Sequence, residues 1–93
     1  MDNATLHLVQ QSASASSALR DCLASCQPAD PIVLMHDAVY AALYKPADNE
    51  FYALRPDLEE RGLLDRIDKA IHVIDYPDLV ALSDRYRHNL SWF

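Results

Sequence analysis

The stretch Ile32-Val-Leu-Met35 is apolar at four successive positions and follows Pro31. A strand with one solvated face would alternate apolar and polar residues, whereas a continuous apolar run is typical of a strand buried on both faces. Such strands occur in parallel sheets that helices cover on both sides. The stretch therefore predicts a buried strand of a parallel sheet in an α/β protein.

Three further short runs predict strands on either side of this one. Residues 5–9 precede it, and residues 51–54 and 71–74 follow it. Each run is bounded by polar residues or turn formers and contains β-branched or aromatic side chains, which favour strands. Four strands are therefore expected from the sequence.

Helical patterns alternate with these strands. The i, i+3, i+4, i+7 spacing of one apolar helix face is formed by Leu19, Cys22, Leu23 and Cys26. Asp37 is expected to cap a second helix that runs to about residue 43. Prolines open two later helices, over residues 56–61 and about 77–86, because proline suits the first helical turn.

This alternation fixes the expected fold class, which is α/β, a single domain with a mainly parallel sheet flanked by helices. Its 93 residues suffice for one domain, residues 1–93. In such sheets, sites form at the carboxyl ends of the strands. That edge is expected to hold residues 10–12, His36, Asp37, Arg55, Asp75 and Tyr76.

The last residues, 89–93, follow the final predicted helix as a tail that contains Trp92 and Phe93. Large aromatic side chains in such a position either fold back on the core or fill a pocket of a partner protein. The sequence leaves both possibilities open. In either case, removal of the tail is expected to weaken the fold or the assembly.

Charge and composition exclude several classes of function. A formal net charge of −6 argues against direct binding of nucleic acid, which needs a positive face. A single glycine leaves no glycine-rich loop for a nucleotide, and no cofactor is expected. No apolar run is long enough to span a membrane, and no secretory signal is recognisable. A cytoplasmic protein with a reduced thiol pair, Cys22 and Cys26, is therefore expected.

The histidines and acids form no recognisable metal-binding pattern. No i, i+4 pair exists among His7, His36, His72 and His88. Cys22 and Cys26 have no second ligand pair downstream, so no structural metal is expected. His7 and His72 are interpreted as hydrogen-bonded histidines within strands. Asp37 is interpreted as a helix cap, with a role as a site acid as the alternative.

Cys22 is the candidate nucleophile, and two interpretations compete. Its position on the apolar helix face predicts a small core residue with an inert thiol. The alternative is a thiol that attacks or carries sulfur, which requires exposure and a lowered pKa. Cys26 lies at the end of the helix and is expected to be structural.

Several runs, taken in order, resemble the DsrH/TusB family. Leu6-His7, Ser12 and Cys22-Leu23 resemble its N-terminal part. The later runs are His36-Asp-Ala-Val-Tyr-Ala-Ala42, Tyr52-Ala-Leu-Arg-Pro-Asp-Leu-Glu-Glu-Arg-Gly-Leu63 and Ile74-Asp-Tyr-Pro-Asp-Leu-Val80, with Trp92 near the end. The similarity covers nearly the full length. Its most specific parts are the Asp-Leu-x-x-Arg-Gly-Leu and Ile-Asp-Tyr runs.

The resemblance implies a DsrE/F/H-like fold and a role as a subunit of a TusBCD or DsrEFH complex, which passes persulfide sulfur between proteins. The implied partners are TusC/DsrF-like and TusD/DsrE-like subunits, with TusA- and TusE-like sulfur carriers. In the Tus branch, the sulfur ends in the 2-thiouridine of the tRNA wobble base. The principal acceptor cysteine of the family lies on another subunit, and Cys22 falls where some DsrH-type members carry a cysteine. The resemblance therefore implies a structural or auxiliary subunit.

Three functions stay open at this point. The first is the sulfur-relay subunit, with Cys22 as a candidate persulfide carrier, in tRNA thiolation or, as a DsrH-type subunit, in sulfur oxidation. The second is a stand-alone thiol sulfurtransferase, against which the lack of a recognisable rhodanese-type loop counts. The third is an interaction module without sulfur chemistry. The stoichiometry of any complex is not predicted.

Overall fold

A computed structural model describes residues 2–12 and 14–93 of the chain. The strands are β1 (Asp2–Val9), β2 (Ile32–Leu34), β3 (Phe51–Leu54), β4 (His72–Ile74) and β5 (Tyr86–Trp92). The α-helices are α1 (Ala18–Ser25), α2 (Arg55–Glu60) and α3 (Tyr76–Arg85), and a 3₁₀ helix spans His36–Leu43. Every predicted strand and helix is present within a few residues of its expected bounds, which is the usual scatter at element ends.

The five strands form one parallel sheet in the order β4-β3-β2-β1-β5. The predicted fold class, a parallel sheet flanked by helices, is confirmed. β2 occupies the centre, and all three of its residues are buried. The continuous apolar run that predicted this strand therefore reflects burial on both faces.

The larger part of the core lies on one face of the sheet, between the strands and α1, α2 and the 3₁₀ helix. It includes Cys22, Phe51 and Leu58, with Trp92 packed against it. The opposite face carries a smaller cluster of Leu6, Val33 and Leu82, which α3 covers. The two faces are therefore unequal, and β5 contributes Trp92 to the larger cluster.

Residues 89–93 were predicted to form a tail without secondary structure, and this prediction is wrong. Residues 89–92 belong to β5. This strand pairs with β1, and the pairs include His7 with Leu90 and Val9 with Trp92. Five of its seven residues are exposed, so the local pattern carries little apolar signal. The pairing with β1, more than 80 positions away in sequence, holds it as a strand.

The second predicted helix is a 3₁₀ helix of eight residues rather than an α-helix. Its inward side chains are Ala38, Val39 and Ala42, whereas Tyr40 and Leu43 are exposed. Runs of this length are uncommon for 3₁₀ geometry. Contacts with β2, β3 and α2 hold the segment in place.

Candidate functional site

The carboxyl edge of the sheet holds the side chains that the sequence placed there. His36 follows the end of β2, Arg55 follows β3, and Asp75 follows β4. The Arg55 Nε and Asp75 Oδ1 atoms are 3.6 Å apart, and both side chains are substantially exposed. An exposed ion pair of this kind contributes at most about 1 kcal/mol to stability. Breaking it costs little, so both charges are available to bind a partner.

His36 has a strained backbone at this edge, with φ at +50°. A buried carboxylate holds it there, because the His36 N–H donates to Asp57 Oδ2 over 2.7 Å. Left-handed backbone at a residue other than glycine persists only where the surroundings enforce it. The result is an exposed imidazole at the end of the central strand. Sequence reasoning missed Asp57, although it lies in the most specific family-like run.

Asp37 does not cap its helix, and that prediction is wrong. Met35 occupies the N-cap position, and Asp37 is the second residue of the 3₁₀ helix. The carboxylate of Asp37 instead accepts hydrogen bonds from Arg61 Nε at 3.1 Å and Nη2 at 2.9 Å. Arg61 Nη1 also donates to the backbone oxygen of Asp57. These bonds, the one to Asp37 foremost, raise the pKa of Arg61 and join α2 to the 3₁₀ helix.

A cavity of about 430 Å³ lies beside this edge, between the loop after β1 and the 3₁₀ helix. Its lining residues are Ser12, Ser14, Tyr40 and Ala41. The two serine hydroxyls are 3.2 Å apart and hydrogen-bonded to each other, and nearly half of Tyr40 is exposed. Ser12 is the one residue of the predicted 10–12 segment that lines this cavity.

Cys22 lies in the core, with 0% of its side chain exposed. Burial, with smaller contributions from Cys26 and Asp30, raises its pKa to about 12. A thiol with that pKa is protonated at neutral pH, and the thiolate is the form that attacks or carries sulfur. Cys26 is half-buried and donates to the Leu23 oxygen over 3.6 Å. A role of Cys22 as a persulfide carrier stays a prediction.

The histidines within strands are hydrogen-bonded, as the sequence predicts. His72 Nε2 is 2.7 Å from Glu50 Oε2 at the surface. His7 Nε2 is 2.9 Å from Asp30 Oδ2 in the interior. On the other side of the ring, Trp92 Nε1 donates to His7 Nδ1 over 3.0 Å. Trp92 thus folds back on the core, whereas Phe93 is 73% exposed.

Asp30 is the second residue that sequence reasoning missed. It is buried, and its carboxylate accepts from the backbone N–H groups of Thr5 and Gln27 and contacts His7. Its position between Pro28 and Pro31 predicts only a turn. Two of its three partners, Thr5 and His7, come from β1, far away in sequence.

The described residues, 2–12 and 14–93, contain no group of three His, Cys, Asp or Glu side chains that could hold one metal ion. Within the same residues, no helix is both long enough and apolar enough to cross a membrane.

Comparison with known proteins identifies relatives over most of the chain. The family described as DsrH like protein matches residues 11–89. Protein TusB of Pectobacterium atrosepticum is 35% identical over 78 residues, which cover 75% of this chain and 82% of that protein. Protein TusB of Serratia proteamaculans is 37% identical, covering 68% and 75% respectively.

A solved structure has a similar fold. The solution NMR structure of protein Tm0979 from Thermotoga maritima superposes with a TM-score of 0.67 at 25% sequence identity. The match covers 87% of this chain and 92% of that one. The parallel sheet and its helices are therefore shared with an experimentally determined protein.

Proposed function

Because this chain belongs to the DsrH family, whose curated relatives here are named TusB, we propose that it is a subunit of a sulfur-relay complex in the cytoplasm. The complex passes persulfide sulfur from protein to protein. Its other subunits are TusC/DsrF-like and TusD/DsrE-like proteins, and TusA- and TusE-like carriers deliver and receive the sulfur. The relatives named TusB favour 2-thiolation of the tRNA wobble uridine over sulfur oxidation as the destination.

The burial of Cys22 is the main observation that supports a structural or auxiliary role for this subunit. The chain has two cysteines. Cys22, which falls where some DsrH-type members carry a cysteine, is fully buried and has a raised pKa. A principal sulfur acceptor needs an accessible thiolate. The main flux therefore passes through a cysteine of a partner. The same burial counts against a stand-alone thiol sulfurtransferase.

The surface supports a role in protein assembly rather than in binding tRNA. The chain carries a net charge of −6, which repels the phosphate backbone. It also exposes large apolar side chains, among them Tyr40, Tyr44, Tyr76 and Val80. Exposed aromatic residues of this kind commonly form the energetic centre of protein interfaces.

Assembly is the first testable expectation. Co-expressed with TusC- and TusD-like subunits from the same genome, the chain should elute with both in one hetero-oligomeric peak on size-exclusion chromatography. A small domain with exposed aromatics gains stability by burying them against a partner. Elution of this chain as a separate monomer, while the other two subunits stay together, would contradict the proposal.

Substitution of Cys22 separates an auxiliary from a principal role. In the assembled complex, Cys22→Ser should lower sulfur delivery at most several-fold, because the partner's cysteine carries the main flux. A hydroxyl in this apolar site should cost about 1–2 kcal/mol of unfolding free energy. Mass spectrometry after incubation with a persulfide-loaded donor measures the loading of each subunit. Thiouridine yield in cells that carry the variant measures delivery.

Cys26→Ser is the matched control, since Cys26 directly follows the helix that carries Cys22 and is half-buried. It should leave both readouts unchanged. If Cys22→Ser abolishes thiolation while the complex remains intact by chromatography, Cys22 is a principal relay residue and the auxiliary role is wrong.

A further inference from the structure

A continuous hydrogen-bonded chain connects three parts of the fold in the interior. Asp30, in the turn before β2, contacts Nε2 of His7 on β1, and Nδ1 of the same ring accepts from Trp92 Nε1 on β5. His7 is 3% exposed and Asp30 is 5% exposed. These hydrogen bonds link the C-terminal strand to the centre of the molecule through the imidazole of His7.

The geometry admits only one protonation state of His7. An indole nitrogen donates and cannot accept, so Nδ1 of His7 must be unprotonated to receive the Trp92 hydrogen. Nε2 therefore carries the ring hydrogen and donates to Asp30. A doubly protonated imidazolium would place an N–H against the N–H of Trp92 at a nitrogen separation of 3.0 Å, and one of the two groups would have to move.

The buried titratable groups around His7 keep one charge state near neutral pH. Burial opposes ionisation of Asp30, but hydrogen bonds from Gln27, His7 and Thr5 outweigh it and lower the Asp30 pKa, so Asp30 stays charged. Helix α1 contributes Cys22, whose pKa of about 12 keeps the thiol neutral. The partners of His7 in the neighbouring strands are the apolar residues Ile32 and Leu90. His88 of β5 pairs with Thr5 and is exposed to solvent.

We propose that His7 and Trp92 form a proton-sensitive latch on β5: neutral His7 holds the strand closed, and protonated His7 releases the Trp92 side chain and loosens the strand. Because Nε2 already carries a hydrogen toward Asp30, the added proton goes to Nδ1, the nitrogen that faces Trp92. When His7 accepts this proton, the hydrogen bond from Trp92 is lost. The two states therefore differ by one proton and one hydrogen bond.

The construction of β5 makes it a strand that can open without global unfolding. In the part of the chain that the structure describes, β5 lies at the sheet edge and pairs with β1 alone. Five of its seven residues are exposed, and Trp92 is its contribution to the larger core cluster, which also contains Cys22. Elements with few buried contacts have the lowest free energy of local opening. Opening of β5 exposes the edge of β1 and the part of the larger core cluster against which Trp92 packs.

The test uses the fact that Trp92 is the single tryptophan of the chain. Tryptophan emission wavelength and acrylamide quenching are measured from about pH 8 to about pH 5, the range in which imidazoles charge. The wild-type chain should show a red shift and a several-fold rise in the quenching constant, while far-UV circular dichroism retains most of its signal. Emission intensity is not used, because an imidazolium in contact with an indole quenches it directly.

Two variants assign the change. His7→Asn retains an acceptor near Nδ1 that cannot be protonated, and its quenching constant should not depend on pH over this range. His72→Asn removes an exposed histidine that pairs with Glu50, and it should retain the wild-type step. A flat wild-type quenching profile, or the same step in His7→Asn, would overturn the latch.

Discussion

A chain that stops at Asn89 should lose about 3–5 kcal/mol of unfolding free energy, a large share of the roughly 5–15 kcal/mol available to a small domain. The deletion removes Leu90, Ser91 and Trp92, which pair with three successive residues of β1. It also removes an indole packed against the larger core cluster and leaves His7 Nδ1 without its donor.

The loss has two physical sources. Truncation of a large aromatic side chain in a packed site costs about 3–5 kcal/mol, and the partial exposure of Trp92 places its own share near the lower end. The rest comes from backbone groups of β1 that lose their partners on that side. These groups become an open sheet edge, which promotes aggregation.

Urea unfolding followed by far-UV circular dichroism measures the effect, since the deletion removes the tryptophan. Phe93→Ala is the control, because Phe93 is 73% exposed and its truncation should change stability by less than about 0.5 kcal/mol. Equal unfolding midpoints for the truncated and full-length chains would show that β5 contributes little to the fold. An equally large effect of Phe93→Ala would show that the end of the chain is packed differently.

The strands and helices of this fold could be predicted where short-range pattern decides the structure. The run over β2 is apolar because both faces of the strand are buried, and the i, i+3, i+4 spacing of α1 reflects one buried helix face. The end of α2 is also local, since Gly62 adopts φ of +66°, which glycine tolerates without a steric penalty. These features depend on neighbours within a few residues.

The missed features all depend on contacts distant in sequence. β5 has an exposed, polar pattern and is a strand because β1 offers it an edge. Asp57 looks like an ordinary acid in the first turn of α2, yet it fixes the backbone of His36, 21 positions earlier. Asp37 was misplaced as a cap because its partner, Arg61, lies 24 positions later. The family-like Asp-Leu-x-x-Arg-Gly-Leu run contains both Asp57 and Arg61, so it signals their importance without revealing the geometry.

Asp30→Ala should be the most damaging single substitution among the polar residues of the interior, at about 3–5 kcal/mol. The carboxylate accepts from the Thr5 N–H at 3.0 Å, the Gln27 N–H at 2.9 Å and the His7 ring at 2.9 Å. Its removal leaves one buried and two partly buried donors without a partner, and a buried donor left in this way costs about 1–3 kcal/mol. Asp48→Asn, on an exposed acid, is the control and should be close to neutral.

The pH dependence of stability gives a second, independent measure of Asp30. Burial alone would raise its pKa, but the hydrogen bonds from Gln27, His7 and Thr5 outweigh burial and lower it. A carboxyl whose pKa is lower in the folded state than in the unfolded chain stabilises the fold above the unfolded value of about 3.9. That contribution is lost as the pH falls through the folded pKa. The wild-type unfolding free energy should therefore fall steeply on acidification below about pH 4.

Asp30→Asn removes the titrating group while preserving the size of the side chain. Its unfolding free energy should be lower than that of the wild type at neutral pH, and the difference should shrink as the wild type is acidified. Urea unfolding from about pH 7 to about pH 3 measures both curves. This acid step lies below the range of imidazole titration, so it separates the charge of Asp30 from the opening of the His7–Trp92 latch. Parallel curves across the whole range would mean that Asp30 ionises alike in the folded and unfolded chain, and that its buried hydrogen bonds do not hold its charge.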